Sequence, residues 1–318
     1  MPASGPTSTN FADRLAEAVV RCRTPVVVGL DPRVDQLPAT LRPKSAEWSE
    51  QAAAYEEFCR GVIDAVASLV PAVKPQAAFF EQLGPAGMAA LARVNHYARE
   101  RGLLVIFDGK RGDIGSTAEA YAAAYLSRGE ENPWAADALT VSPYLGDDSL
   151  EPFAKAAQRA GSGMFVLVKT SNPGSGTLQD LTCQGRPVYH AVADLVERLA
   201  SETLGQCGYG SIGAVVGATY PQLLGELRAS MPHSWFLVPG YGSQGAAAKD
   251  VAGAFDARGL GAIVNSSRAI IFAHHRKDLA ARYGESRWQE AVEAATCEMI
   301  EELAADTPAG KLQSKSKS

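Results

Sequence analysis

The sequence of 318 residues predicts one α/β domain folded as a (β/α)8 TIM barrel. Eight short runs rich in valine, isoleucine, leucine and phenylalanine alternate with helical segments, which is typical of parallel strands joined by crossover helices. Polar residues follow most of these runs, and the active sites of such barrels lie at the carboxyl ends of the strands. An open, doubly wound sheet would show the same alternation and is the alternative fold.

The first half of the chain carries four of the predicted strands. They cover 25–32, 71–81, 103–110 and 137–146, and helices are predicted over 11–21, 49–70, 91–101, 116–128 and 151–160. Pro32 ends the first run because proline cannot continue a strand of this kind. Ser116 followed by Glu119 has the pattern of a capping box. A proline-rich loop over 32–48 reveals no function.

The second half supplies the other four strands, each running into a loop. They begin at 163, 211, 234 and 260, with helices over 187–204, 222–230 and 276–305. An insertion over 178–205 reveals no function either. Residues 11–306 are therefore assigned to the barrel, 1–10 to a disordered leader and 307–318 to a disordered tail.

Composition limits the possible functions. A formal net charge of −5 argues against binding nucleic acid or an acidic membrane, since either requires a concentrated basic face. No apolar run approaches the roughly 18 residues of a membrane-spanning helix. The first ten residues lack the basic start and apolar core of a signal peptide, so we expect a cytoplasmic protein.

The cysteines and histidines do not indicate a metal site. The five cysteines are odd in number, scattered and never in a C-x-x-C pair, which argues against structural zinc and a disulfide framework. The five histidines form no H-E-x-x-H motif. The sequence therefore predicts a protein that uses no metal and no organic cofactor.

The third strand ends in the sequence FDGKRGD, at 107–113. The two-residue period of a strand places Asp108 and Lys110 on one face, with Cα atoms roughly 6.6 Å apart. Asp113 lies beyond the strand and can either turn back toward Lys110 or point to another chain. A surface salt bridge would also give this pattern. A catalytic site is favoured because polar residues follow other strands as well, at Asp31, Lys74, Ser171, Gln244 and Arg268.

A lysine between two carboxylates keeps its proton, because opposite charges favour its charged form. Lys110 is therefore suited to act as a fixed cation and proton donor in reactions that build negative charge on carbon, such as enolisation or decarboxylation. One ion pair at about 4 Å contributes on the order of 4 kcal/mol at an effective dielectric of about 20. Enzymes lower barriers by roughly 8 to 23 kcal/mol. Binding energy from a remote phosphate would have to supplement Lys110.

The loop after the seventh strand has the glycines of a phosphate site. Gly240, Gly242 and Gly245 form G-x-G-x-x-G, but no acidic residue ends the next strand, which disfavours a dinucleotide. Barrels often hold phosphates in the loops after strands seven and eight, where backbone N–H groups converge. Arg268 adds a forked cation there, and Gly242 is expected to contact substrate. The plain alternatives are a tight turn and a surface arginine.

Together these motifs resemble the orotidine 5'-phosphate decarboxylase family, in the longer bacterial form often called type 2. The resemblance spans most of the chain and rests on Arg268 and on GLDP at 29–32, VKPQ at 73–76, FDGKRGDI at 107–114, KTSNPGSG at 169–176 and VPGYGSQGA at 238–246. It implies the barrel fold and the cofactor-free decarboxylation of orotidine 5'-monophosphate to uridine 5'-monophosphate, in pyrimidine biosynthesis.

The resemblance also implies roles for individual residues. Lys110 matches the lysine that protonates C6 of the pyrimidine as carbon dioxide leaves, and Asp108 matches the carboxylate beside it. Asp113 matches an aspartate lent to the neighbouring subunit and Thr117 a partner-chain contact to the ribose, which implies a homodimer. The remaining matches are Asp31 and Lys74 on the ribose side, Ser171 at the pyrimidine, Gln244 between base and phosphate, and Arg268 at the phosphate.

Two other functions are compatible with such a barrel. A sugar-phosphate decarboxylase or aldolase would stabilise an enediolate with magnesium, but that metal needs free carboxylates and the second strand ends in Lys74. A regulatory barrel that binds a nucleotide without turnover would not need the complete set of Asp108, Lys110 and Asp113.

Overall fold

Eight parallel strands form a closed barrel in the computed structural model, which describes residues 10–127, 132–242 and 245–314. Each strand pairs with its neighbours in the sequence, and the first and last strands pair with each other in a register that places Val28 beside Ser266. The predicted (β/α)8 barrel is confirmed, and the closed pairing excludes an open sheet.

The barrel strands are short and almost entirely buried. They are Val26–Leu30 (β1), Ala72–Pro75 (β2), Leu104–Arg111 (β3), Ala138–Val141 (β4), Gly163–Lys169 (β5), Ile212–Val216 (β6), Phe236–Val238 (β7) and Ala262–Ser266 (β8). Side chains on one face fill the barrel and those on the other pack against helices, so neither face meets water. This explains why the sequence shows continuous apolar runs instead of alternation.

Helices surround the strands and complete the core. They are Phe11–Cys22 (α1), Trp48–Val66 (α2), Ala77–Glu81 (α3), Gly84–Glu100 (α4), Gly115–Leu126 (α5), Asp147–Ala160 (α6), Gly176–Gln179 (α7), Val188–Ser201 (α8), Pro221–Ser230 (α9), Ala248–Val251 (α10), Arg268–Ile271 (α11), Lys277–Tyr283 (α12), Trp288–Asp306 (α13) and Lys311–Ser314 (α14). Phe11 of α1 packs on the amino end of β5, where a Cβ on Gly163 would come within 2.2 Å of its ring. This leaves the opposite end, where the strands finish, as the open mouth.

The two segments without a predicted role have local structure. Residues 32–48 contain two short 3-10 helices, Val34–Gln36 and Ala39–Leu41. The insertion after β5 contains α7, a two-stranded hairpin of Thr182–Cys183 with Arg186–Pro187, and α8.

Three predictions about local structure are wrong. The strand predicted over 71–81 ends at Pro75, and Ala77–Glu81 form the short helix α3 instead. The capping box does not form, because α5 begins at Gly115 after Ile114, which makes no side-chain cap, and Ser116 already lies inside the first turn. The tail is ordered over 307–314, where Ala309 and Leu312 are buried. Burial of these two apolar side chains opposes the entropy cost of ordering the segment, and so does the hydrogen bond from Lys311 Nζ to Ala257 O at 2.7 Å.

At the amino end, Asn10 caps α1 by accepting a hydrogen bond from Ala12 N at 2.8 Å. The rest of the predicted leader, 1–9, lies outside the described residues. Across 10–127, 132–242 and 245–314, none of the helices combines the length and the apolar character needed to span a membrane.

Candidate active site

A cavity of about 490 Å³ opens at the carboxyl ends of the strands, and all eight strands or the loops after them contribute to its lining. A volume of this order suits a small organic ligand. Seven residues predicted from the sequence line it: Asp31, Lys74, Asp108, Lys110, Ser171, Gly240 and Arg268.

The Asp108 carboxylate is the centre of a buried polar network. One oxygen, Oδ2, lies 2.6 Å from Lys74 Nζ and accepts a hydrogen bond from Gln76 Nε2 at 3.0 Å. The other oxygen, Oδ1, lies 2.6 Å from Lys110 Nζ and accepts a hydrogen bond from Thr140 Oγ1 at 2.9 Å. One carboxylate is therefore shared between two ammonium groups, and its position is fixed from four directions.

The charges of this network stabilise one another against burial. Burial alone would raise the pKa of Asp108, but the Lys74 and Lys110 ammonium groups hold it well below its usual range. Burial opposes the charged form of Lys74 too, yet the Asp108 and Asp31 carboxylates raise the pKa of that lysine. Asp108 and Lys74 are thus both charged at neutral pH.

Lys110 has an unusual backbone conformation. Its φ of +46° lies in the left-handed region, which costs on the order of 1–2 kcal/mol for a residue with a side chain. The pairing of β3 with β4 is irregular between Phe107 and Arg111, and Lys110 N donates to Thr140 Oγ1 at 2.9 Å. The predicted approach of Asp108 and Lys110 is confirmed, but an irregular strand end produces it instead of regular alternation.

Two oxygens at neighbouring strand ends have no hydrogen-bond partner within the described part of the chain. They are Asp31 Oδ1, after β1, and Asn265 Oδ1, in β8, and both residues line the cavity. Buried polar atoms are rarely left unpaired, so these acceptors suit a ligand that brings hydroxyl or amide donors. Asn265 was not among the residues predicted from the sequence, although a polar residue inside an apolar strand was a usable signal.

The loop after β5 contributes more residues than the predicted Ser171. Thr170, Asn172 and Gln179 also line the cavity. Lys169, at the end of β5, is almost fully buried and was missed as well. The polar run directly after an apolar strand indicated Thr170 and Asn172. Nothing local indicated Gln179, which lies nine residues after Thr170.

Only some of the residues predicted to bind phosphate line the cavity. Gly240 and Arg268 line the cavity, with Gly240 in the left-handed region at φ +98° and Arg268 opening α11. Gly242, at φ +69°, does not line it. Gln244 lies outside the described residues.

Asp113 and Thr117 do not line the cavity of their own chain. Asp113 Oδ1 accepts a hydrogen bond from Ile114 N at 2.8 Å, and Thr117 is exposed in the first turn of α5. The Lys110 ammonium forms its ion pair with Asp108, at 2.6 Å. Within one described chain, Asp113 therefore does not turn back to the lysine.

The described residues contain no cluster of three or more histidine, cysteine, aspartate or glutamate side chains placed to hold a metal ion. The cations of the network already occupy the Asp108 carboxylate.

Comparison with known proteins extends over the whole barrel. Residues 24–283 match the model of the orotidine 5'-phosphate decarboxylase / HUMPS family. Orotidine 5'-phosphate decarboxylase of Rhodopirellula baltica is 58% identical over 297 residues, which cover 92% of this chain and 98% of that protein. The protein of the same name from Deinococcus radiodurans is 45% identical over 275 residues, covering 86% and 93%.

Solved structures give the same result. The OMP decarboxylase of Leishmania donovani superposes with a TM-score of 0.71 at 36% identity, covering 93% of this chain and 98% of that one. A putative orotidine 5'-phosphate decarboxylase of Streptomyces avermitilis superposes with a TM-score of 0.75 at 36% identity, covering 96% and 98%. The similarity therefore includes every strand end that lines the cavity.

Proposed function

The chain belongs to the orotidine 5'-phosphate decarboxylase / HUMPS family, and on that basis we propose that Lys110 is the proton donor in the decarboxylation of orotidine 5'-monophosphate. The activity of the chain as a carboxy-lyase of pyrimidine biosynthesis follows from its similarity to the relatives above. The role of Lys110 is supported by one observation. Two ammonium groups share Asp108, but the Lys74 side chain is 5% exposed whereas that of Lys110 is 46% exposed and faces the cavity.

The proposed reaction needs one proton and no redox partner. The bond between C6 of the pyrimidine and the carboxylate carbon breaks, its electron pair stays on C6, and carbon dioxide leaves. A proton from the Lys110 ammonium then forms the new C6–H bond, and solvent returns a proton to the amine. Asp108 has two effects, because its carboxylate holds the Lys110 ammonium in place at 2.6 Å and its negative charge disfavours the substrate carboxylate relative to the transition state.

Binding of the rest of the nucleotide supplies the remaining stabilisation. Arg268 and the backbone around Gly240 lie at the ends of β8 and β7, where barrels commonly hold a phosphate. Asp31 and Lys74, at the ends of β1 and β2, are proposed to face the ribose. Interactions with these remote groups hold the reacting carbon against fixed charges, which is how binding energy lowers a barrier.

We further propose that the active form is a homodimer in which Asp113 and Thr117 reach the site of the partner subunit. Both residues lie at the mouth of the barrel but outside the cavity of their own chain. The loops after β3 and β4 are joined by a hydrogen bond from Ser142 N to Arg111 O and carry three exposed apolar side chains, with Ile114 56%, Tyr144 78% and Leu145 48% exposed. Burial of these side chains against a second subunit would favour association.

The test of Lys110 is the Lys110→Ala variant, with orotidine 5'-monophosphate as substrate and loss of its absorbance as the signal. We expect turnover to fall by at least about a thousandfold, as for loss of a general acid within a preorganised site, while uridine 5'-monophosphate still binds. Lys155→Ala is the matched control, since Lys155 forms an exposed ion pair with Glu151 and neither residue lines the cavity. Turnover by Lys110→Ala at the wild-type rate would refute the role.

A chelator separates this proposal from an enzyme that uses magnesium. We expect no change of rate after treatment with a chelator and dialysis, and strong inhibition that magnesium reverses would favour the sugar-phosphate alternative instead. Independence of metal and organic cofactor, and a cytoplasmic location, stay predictions.

A further inference from the structure

Two adjacent residue pairs fasten the loop after β5 to the barrel. Lys169, the last residue of β5, pairs with Asp180, and the next residue, Thr170, pairs with Gln179. We call these four residues the 169–180 clasp. The clasp closes the loop of residues 171–178, which begins at the edge of the cavity.

The first pair holds a buried charge. The Lys169 side chain is 2% exposed, and its ammonium lies 2.6 Å from Asp180 Oδ1 and 3.3 Å from Ser175 Oγ. The rings of Tyr220 and Tyr189 face it at 4.9 and 5.7 Å. Because an unpaired buried ammonium is strongly unfavourable, Lys169 keeps Asp180, which is itself half exposed, and with it the end of the loop, in place.

The second pair fixes the backbone at the start of the loop. Gln179 Oε1 accepts a hydrogen bond from Thr170 N at 3.0 Å, and Gln179 Nε2 donates to Thr170 Oγ1 at 2.9 Å. Thr170 Oγ1 donates in turn to Asn172 Oδ1 at 2.7 Å. The side-chain amide of Gln179 thus bonds at both ends to one residue, which immediately precedes Ser171.

We propose that Lys169 and Asp180 are positioning residues for recognition of the pyrimidine base, acting through Ser171 and Asn172. This inference rests on the proposed function. Ser171 and Asn172 line the cavity on the β5 side, apart from the phosphate-side residues after β7 and β8. A loosened clasp therefore affects the base end of a nucleotide and leaves its phosphate end unchanged.

The test compares two ligands that differ only in the base. Uridine 5'-monophosphate and ribose 5-phosphate share the phosphorylated sugar, so the ratio of their dissociation constants reports the contribution of the base. In Asp180→Ala we expect binding of uridine 5'-monophosphate to weaken by about tenfold or more, while binding of ribose 5-phosphate changes by less than about twofold. We expect KM for orotidine 5'-monophosphate to rise in parallel and kcat to change little, since Lys110 is untouched.

Two further variants control the interpretation. Asp180→Asn keeps the shape and one hydrogen bond but removes the charge, so we expect an intermediate effect. Asp194 lies on the neighbouring α8 and forms an exposed ion pair with Arg186 of the hairpin. Asp194→Ala removes this ion pair and should change the binding of neither ligand. Equal weakening of both ligands in Asp180→Ala, or no weakening of either, would overturn the clasp proposal. A wild-type protein that does not turn over orotidine 5'-monophosphate would overturn the proposed function instead.

Discussion

Thr140 connects the backbone of the proposed proton donor to the carboxylate beside it. Its hydroxyl accepts a hydrogen bond from Lys110 N and donates one to Asp108 Oδ1, both at 2.9 Å, and the residue is 1% exposed. A single buried hydroxyl therefore helps to hold the left-handed backbone at Lys110 and the orientation of Asp108 together.

Replacing this hydroxyl by a methyl group should weaken both catalysis and stability. For Thr140→Val we expect a loss of about 1–3 kcal/mol in the free energy of unfolding, because the partners lose their hydrogen bonds. We expect kcat to fall by about a hundredfold, because small misplacements of a reacting group have effects of that order. Urea unfolding and steady-state kinetics measure the two quantities.

The matched control is Thr296→Val in α13. Thr296 is also fully buried, and its hydroxyl donates to Val292 O at 2.8 Å within the helix. This variant should retain the wild-type kcat. Equal kcat values for the two variants would show that the Thr140 hydroxyl has no part in catalysis.

At the scale of residues, the charged groups of the site were easier to predict from the sequence than the residues that hold them in position. Asp108 and Lys110 were predictable because their spacing is local and their residue types are rare at the end of an apolar strand. Thr140 lies in the run ALTV and is indistinguishable from a β-branched strand residue until β3 and β4 are paired. Lys169 and Gln179 were also missed, because their partners, Asp180 and Thr170, come close only through the path of the loop after β5.

At the scale of elements, β1 and β8 meet closely beside the proposed phosphate side. Gly29 of β1 has no side chain where Ser267 and Asn265 approach: a Cβ there would lie 1.9 Å from Ser267 Oγ and 3.2 Å from Asn265 Oδ1. Ser267 immediately precedes Arg268. The backbone of β1 at Gly29 therefore limits the position of Ser267 and, through it, that of Arg268 after β8.

Gly29→Ala should therefore displace Ser267 and weaken substrate binding. We expect KM for orotidine 5'-monophosphate to rise by about tenfold, equivalent to about 1.4 kcal/mol, with a smaller change in kcat. Gly225→Ala is the control, since a Cβ there meets nothing within 4 Å and alanine should stabilise α9 by about 0.5–1 kcal/mol. An unchanged KM in Gly29→Ala would contradict this account of the β1–β8 contact.

Elements were predicted more reliably than their ends. All eight strands appear where apolar runs indicated them, because burial on both faces leaves a strong signal. The start of α5 was predicted wrongly because Gly115, at φ +52°, leads the chain into the helix without a side-chain cap. The irregular end of β3 was also not predictable, since it depends on pairing with β4.

At the scale of the whole molecule, closure of the barrel creates a complete cavity, but three predicted site residues, Asp113, Thr117 and Gly242, lie outside its lining. Eight runs predicted the closure, and the pairing of β1 with β8 confirms it. The ordered tail over 307–314 was not predicted because its apolar residues are few and their burial depends on distant parts of the chain. The proposed homodimer belongs to this scale as well.

Mixed dimers test whether Asp113 acts across an interface. In a dimer of one Lys110→Ala chain and one Asp113→Asn chain, exchange of residues between subunits leaves one site with both native side chains. Statistical mixing should then restore about a quarter of wild-type activity, because half of the dimers are mixed and each has one intact site. Co-expression with two different affinity tags and measurement of turnover check this. Absence of activity in the purified mixed dimer would place Asp113 in the site of its own chain.

The buried Lys74–Asp108 pair has a consequence for engineering. Removing two charges from water is unfavourable, and well-packed apolar residues in place of such a pair often make a protein more heat-resistant. A laboratory selection for survival at high temperature, without a requirement for growth on the product, would therefore favour replacement of these residues. Mutant libraries designed to raise the thermal stability of the barrel should therefore keep Lys74 and Asp108 unchanged.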